Sequence, residues 1–316
     1  MKMKKWKVLV SAPYMQPVPD KYRQTLESNG VEIVVPIVNE RLSEEELLGL
    51  ISEVDGVICG DDRFTDRVIR SAPRLKVISK WGTGIDSIDR KAAEARGIAV
   101  RNTPNAFTVP VADTVIGYVL CFARRLPWMD RGMKKGGWDK IPGVSLSELT
   151  LGVIGVGNIG KAVLKRASAF GMKLLGNDIL EVRASFIESV GVRMISKDEL
   201  LKEADIVSLN CDLNPTSHHI LGETEFLKMK SPSIVINTAR GPLIDEKALI
   251  KALRNERIAG AALDVFEEEP LPSDSPLRSF DNVLLAPHNS NSSPAAWERV
   301  HENTVKNLLE ELRKRG

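Results

Sequence analysis

The glycines at 155, 157 and 160 constrain this chain more than any other feature. They stand in Gly155-Val156-Gly157-Asn158-Ile159-Gly160, directly after an apolar run at 151–154 and before a helical stretch at 161–170. In a strand-turn-helix setting the first glycine permits the tight turn and the second lets a ligand approach the backbone. The third lets helix and strand pack closely. Free N–H groups at the start of the helix then face an anion. The unit belongs to α/β architecture with a parallel sheet. It usually opens its domain, yet here it begins near the middle of 316 residues. Roughly the first hundred residues must therefore fold separately, with the glycine-bearing domain inserted after them.

The next strand-like run, 174–178, ends in Asp178. An acid at that place accepts hydrogen bonds from the ribose of a bound dinucleotide. It also disfavours a 2′-phosphate, and no Arg or Lys adjoins it, so NAD is expected rather than NADP. Composition agrees with a soluble, folded protein: 43% hydrophobic and 27% charged residues are ordinary globular values. Lys plus Arg is 44 and Asp plus Glu is 42, a net charge of +2. No basic excess exists for nucleic acid or a membrane surface. Cys59, Cys121 and Cys211 form no CxxC pair, so neither a metal module nor a disulfide framework is indicated. The basic start Met1-Lys2-Met3-Lys4-Lys5-Trp6 leads into an apolar run at 8–10 that is too short for a signal peptide. A cytoplasmic protein is the expectation.

The rest of the chain alternates strand-like and helical segments. Strands are expected at 31–38, 54–59 and 75–79, with helices over 14–30, from Ser43 to 51, and over 68–72. Ser43 with Glu46 three residues later is a capping-box pattern. Residues 108–126 form the longest apolar stretch, a helix by the recurrence of Val109, Ala112, Val115, Ile116, Val119, Leu120 and Ala123. Apolar over much of its circumference, it is either deeply buried or a subunit contact. A Gly- and Lys-rich segment with Trp138 follows at 132–143. The second series has strands at 151–154, 174–178, 192–195, 206–209, 234–237, 260–264 and 283–285, then a charged helix at 294–315.

Three segments follow strands of this second series: Asn237-Thr238-Ala239-Arg240-Gly241, Leu263-Asp264-Val265-Phe266-Glu267-Glu268-Glu269-Pro270 and Ala286-Pro287-His288. Lys80-Trp81-Gly82-Thr83-Gly84-Ile85-Asp86 and Asn102-Thr103-Pro104-Asn105 stand in the first. With these motifs in this order, the sequence resembles the D-isomer-specific 2-hydroxyacid dehydrogenases. That family includes phosphoglycerate, glyoxylate/hydroxypyruvate and D-lactate dehydrogenases. The resemblance implies two doubly wound parallel-sheet domains, a Rossmann cofactor domain (104–290) inserted into a flavodoxin-like substrate domain (1–103 and 291–316). From its apolar circumference, a homodimer through the 108–126 helix is the expected assembly.

The resemblance further implies roles. Arg240 would hold the substrate carboxylate and polarise its carbonyl, because a guanidinium presents paired donors and stays charged. His288 would be the acid/base, and Glu269 would hydrogen-bond its imidazole, orient it and favour its protonated form. Alone, a histidine after proline is usually structural, and one of three consecutive glutamates usually faces solvent. Gly155, Gly157, Asn158, Ile159 and Gly160 would cradle the pyrophosphate, with Asp178 on the ribose and Cys211 beside the adenosine. Thr238, Ala239, Asp264 and Ser290 would lie on the nicotinamide side. The chain departs from the family at Asn210-Cys211-Asp212, where His-x-Pro is common, and at Ser290, where many relatives have glycine. Gly82-Thr83-Gly84 would offer backbone N–H groups to the carboxylate, flanked by Lys80 and Trp81, with Lys80 placed to meet a second anion.

Gly60-Asp61-Asp62 argues against a phosphate pocket, and the chain ends at Gly316 without the extra regulatory region of some phosphoglycerate enzymes. A small unphosphorylated acid or a dicarboxylate is therefore expected. Two other readings share the fold: an NAD-sensing binding protein like the corepressors of this family, and a formate- or phosphite-type dehydrogenase. Phosphite enzymes place their key lysine where Trp81 stands here.

Overall fold

A computed structural model describes residues 5–315. The basic segment 1–4 read above and Gly316 lie outside the described residues. In chain order the elements are β1 (Trp6–Val10), α1 (Pro19–Ser28), β2 (Val31–Val34), α2 (Glu44–Leu50), β3 (Gly56–Cys59), α3 (Asp66–Arg70), β4 (Val77–Lys80), α4 (Arg90–Ala95) and β5 (Ala99–Arg101). There follow α5 (Thr108–Arg124), α6 (Leu126–Lys134), β6 (Thr150–Ile154), α7 (Asn158–Ala169), β7 (Lys173–Asn177), α8 (Ala184–Val190), β8 (Arg193–Met194), α9 (Lys197–Glu203) and β9 (Ile206–Leu209). The last are α10 (Glu223–Lys228), β10 (Ile234–Asn237), α11 (Glu246–Arg254), β11 (Gly260–Leu263), β12 (Val283–Leu285) and α12 (Pro294–Arg313). None of the described helices is long and apolar enough to cross a membrane.

The chain divides into two units. One holds the described residues up to Phe107 and those from Ser293 onward, and the other is Thr108–Ser292. In the first, the strands stand in the order β2-β1-β3-β4-β5, all parallel. This is the flavodoxin-like order, which reverses between β1 and β3. Every residue of β3 and β4 is buried, as expected of parallel strands covered on both faces. Helix α12 packs on this sheet: Ser79 Oγ donates to the carbonyl of Thr304 at 2.8 Å. A Cβ on Gly56 would come within 2.9 Å of Leu308.

In the second unit the order is β12-β11-β10-β9-β6-β7-β8, again all parallel. Read from β8, it is the Rossmann order extended by one strand. Helix α5 turns Val111, Ala112, Val115, Ile116, Val119, Phe122 and Ala123 into the core, where they join Val163, Leu164 and Ala167 of α7. The 108–126 stretch does not run as one helix to Leu126. Arg125 takes a left-handed φ of 56° before α6, which has a proline in its first turn.

Candidate active site

The glycine turn shows why its residues are small. Gly155 follows β6 with a φ of +91°, and a Cβ there would lie 2.5 Å from the amide nitrogen of Cys211. A Cβ on Gly160 would lie 2.0 Å from the carbonyl oxygen of Gly155. Gly157 differs, since nothing stands within 4 Å of its Cβ position. It caps α7 without any side-chain hydrogen bond to the first-turn amides. Open space before uncapped N–H groups suits a diphosphate. Asn158 and Ile159 form the first turn of the same helix.

Asp178 follows β7 and steadies this turn. Its Oδ2 accepts the Val156 N–H at 2.6 Å and its Oδ1 the Leu180 N–H at 2.8 Å. Cys211 follows β9, and burial pushes its thiol up to about 11, so it stays protonated at neutral pH. Thr238 Oγ1 is buried with no hydrogen-bond partner among the described residues, which suits a polar ligand group beside it. The residues present therefore fit a dinucleotide.

Arg240 sits in the loop after β10. Asn237 Nδ2 donates to its carbonyl at 2.8 Å, and its own Nη1 donates to the Ala239 carbonyl at 2.8 Å. The next residue must be glycine: a Cβ on Gly241 would lie 1.9 Å from the Phe266 carbonyl. That contact presses the arginine loop onto the loop after β11, which carries Glu269.

Glu269 is not solvent-facing; its side chain is 13% accessible. Oε2 lies 3.0 Å from His288 Nδ1, and Oε1 accepts the Phe266 N–H at 2.9 Å. His288 has a φ of +48°, a costly conformation for a residue with a Cβ. Three hydrogen bonds to one residue hold it there. The carbonyl of Asp264 accepts the His288 N–H at 2.8 Å. The carboxylate of Asp264 accepts the Asn289 and Ser290 N–H groups at 2.7 and 2.8 Å. Asp264 is fully buried. On α5, Thr114 Oγ1 donates to the Ser290 carbonyl, and the phenol of Tyr118 is pushed up by burial and by the charge of Asp264. Sequence reading missed these supports, and with them a His219–Glu267 pair at 2.6 Å. Only the glycine after Arg240 and the run of three glutamates hinted at them.

Lys80, Trp81, Gly82, Thr83 and Gly84 belong to the first unit. The Trp81 indole is buried, donates to His301 Nδ1 at 2.7 Å and stacks on Tyr14 with ring centroids 4.4 Å apart. Trp81 N–H donates to the Cys59 carbonyl and its own carbonyl accepts from Lys80 Nζ, so Trp81 anchors the loop. Gly82 takes a φ of +109°, and its carbonyl accepts the Thr103 N–H at 2.8 Å. Thr83 is exposed and Gly84 half-buried.

The family model for the NAD binding domain of D-isomer specific 2-hydroxyacid dehydrogenases matches residues 116–290. The chain is 42% identical over 276 residues to a D-3-phosphoglycerate dehydrogenase of Methanocaldococcus jannaschii, a match covering 86% of this chain but 52% of that protein. It thus spans about half the length of that curated relative. A glyoxylate reductase of Thermofilum pendens is 41% identical over 280 residues, covering 86% of this chain and 82% of its own. The crystal structure of D-lactate dehydrogenase from Aquifex aeolicus complexed with NAD and lactic acid superposes with a TM-score of 0.85 at 29% identity, covering 98% of both chains. Two parallel sheets of matching order, a glycine turn shaped for a dinucleotide, and these likenesses place the chain in the D-isomer specific 2-hydroxyacid dehydrogenase family.

Proposed function

We propose that this protein is an NAD-dependent oxidoreductase that interconverts a small D-2-hydroxy acid and its 2-oxo acid. The observation that carries the reading is the 3.0 Å pairing of His288 Nδ1 with Glu269 Oε2, on a turn held by Asp264. With Nδ1 turned to the carboxylate, Nε2 is the nitrogen for the substrate. In the reductive direction it gives a proton to the carbonyl oxygen, and in the oxidative direction it removes the hydroxyl proton. Arg240 binds the substrate carboxylate and stabilises negative charge developing on the reacting oxygen. In the first unit, the small residues Gly82-Thr83-Gly84 offer backbone N–H groups to the same class of anion.

When bound, the nicotinamide supplies or accepts the hydride. Gly157, Asn158 and Ile159 would hold its diphosphate, and Asp178 the adenosine ribose. Thr238, Ala239 and Ser290 would flank the nicotinamide. The acid at 178, with no adjoining Arg or Lys, supports NAD over NADP. A homodimer through the 108–126 region is part of the proposal: Val109 and Leu126 present exposed apolar side chains there, as do Met133 on α6 and Trp138, Ile141 and Val144 in the segment after it. Light scattering should give twice the monomer mass.

A spectrophotometric panel tests the activity: glyoxylate, hydroxypyruvate, pyruvate, oxaloacetate, phosphohydroxypyruvate and sulfopyruvate, each with NADH and NADPH. Turnover of at least one acid, faster with NADH, is expected. Folded protein that binds NADH and reduces none of them would instead support the NAD-sensing alternative.

A further inference from the structure

His219 stands where three loops of the second unit meet. It lies in the loop after β9 with a left-handed φ of 51°. Its main-chain N–H donates at 2.8 Å to the carbonyl of Pro242, in the loop that carries Arg240. Its Nε2 lies 2.6 Å from Oε1 of Glu267, in the loop that carries Glu269. A carboxylate only accepts, so Nε2 is the donor. The ring of His218 lies against that of His219, with centroids 3.9 Å apart.

The peptide between Phe266 and Glu267 is what this contact secures. Its carbonyl packs on Gly241, whose Cβ position is 1.9 Å away, and its N–H donates to Glu246 Oε2 at 3.3 Å. The Phe266 N–H, one peptide earlier, orients Glu269 through Oε1 at 2.9 Å, and Oε2 of that carboxylate meets His288 Nδ1 at 3.0 Å. Glu267 sits among like charges. Burial pushes the Glu246 carboxyl up, the Glu267 N–H opposes this, and the charges of Glu267 and Glu268 add to it. His219 offsets that repulsion and fixes where the Glu267 side chain points. The two side chains are 37% and 33% accessible. A pair so open adds little to stability, so its effect falls on the direction of the loop.

On the dehydrogenase reading above, we infer that His219 is a positioning residue: through Glu267 it holds the 266–267 peptide in the orientation from which Glu269 aligns the His288 imidazole. The side chain of His219 serves the glutamate loop, and its main chain serves the arginine loop. Replacing the side chain therefore disturbs proton transfer and leaves the Arg240 loop tied to the N–H of residue 219.

The test reads kcat, KM and the thermal melt with the best 2-oxo acid of the panel. His219→Asn tolerates the left-handed φ but is too short to reach Glu267 as Nε2 does. It should lower kcat about tenfold, the scale of a small misplacement of a catalytic group, with KM within about threefold of wild type and the melt nearly unchanged. Glu267→Ala should act alike, and serves if position 219 does not accept asparagine. Glu267→Gln, whose carbonyl still accepts from Nε2, should restore kcat to within about threefold of wild type. In a Glu269→Gln background His219→Asn should cost less than about twofold, because the carboxylate it positions is already gone. An unchanged kcat in folded His219→Asn and Glu267→Ala proteins, or an undiminished loss in the Glu269→Gln background, overturns the inference and leaves the dehydrogenase reading standing. Wild-type protein that turns over no acid of the panel overturns that reading itself, and this inference with it.

Discussion

One carboxylate of Glu269 serves two loops: Oε2 meets His288 Nδ1 at 3.0 Å while Oε1 accepts the Phe266 N–H at 2.9 Å. The second bond fixes the carboxylate, so the first can fix the imidazole. Glu269→Gln keeps the shape but loses the charge and one acceptor. It should lower kcat by roughly two orders of magnitude, the scale of a misdirected general acid/base. NADH affinity, read by fluorescence titration, should stay near that of wild type.

Asp264 binds three successive groups of the histidine turn: the N–H groups of residues 288, 289 and 290. An amide at 264 can accept from one of the two carboxylate-bound N–H groups and must turn its own NH₂ toward the other. Asp264→Asn should cost about 1–3 kcal/mol of stability, the penalty of an unsatisfied buried donor. It should also lower kcat, since the turn that carries the left-handed φ of His288 then loses one of its three restraints. Thermal melts with steady-state kinetics check both effects, and a melt unchanged from wild type contradicts the first.

Gly155 and Gly157 should behave differently when replaced by alanine. At 155 the Cβ meets the Cys211 backbone and φ is +91°, so the protein itself should be destabilised. At 157 the Cβ enters open space. Gly157→Ala should melt like wild type yet bind NADH at least tenfold more weakly, because the added methyl occupies the place of the diphosphate. Calorimetric titration of NADH into both variants separates the two effects.

The Trp81–His301 bond carries a pH dependence. Burial lowers the imidazole below its ordinary value, offset in part by Glu298 and reinforced by Lys21, and Nδ1 accepts the indole N–H as a neutral base. Above about pH 6.5 both folded and unfolded chains hold the imidazole neutral, so the group contributes no slope. As pH falls through that value the unfolded chain takes up a proton that the folded one refuses, and stability drops until the folded value is reached. Urea melts at pH 7.5 and 5.5 should show this loss in wild type and a smaller one in His301→Asn, which keeps an acceptor for Trp81.

Much of this fold is written in short apolar runs. The strands expected at 206–209, 234–237 and 283–285 coincide with β9, β10 and β12, because buried parallel strands need unbroken apolar residues. The capping box at Ser43 forms as read. The helices α4 and α6 and the half-exposed strand β5 went unread, the last a three-residue edge whose pairing with β4 is a tertiary matter. The run 31–38 stops pairing at Val34 and leaves Ile37 exposed, since Pro36 cannot donate to a ladder. The helix expected from 14 begins at Pro19, a residue suited to a first turn.

At the site, the hydrogen bond of Glu269 with His288 was implied only by the family resemblance, since the residues alone read as a solvent-facing glutamate and a structural histidine. Asp264 was assigned only to the nicotinamide side, because its bonds to the 288–290 amides join residues more than twenty positions apart. The same holds for Lys80, whose partner Asp61 lies on another strand's loop. Pairings of this kind exist only once the sheet has brought its strand ends together.

The most direct measurement is NADH oxidation by the best 2-oxo acid of the panel, in wild type, His288→Gln and Arg240→Ala. Wild type should turn over; both variants should lose at least two to three orders of magnitude in kcat/KM while still binding NADH. Activity in both variants equal to that of wild type would contradict the assignment of proton transfer to His288 and carboxylate binding to Arg240.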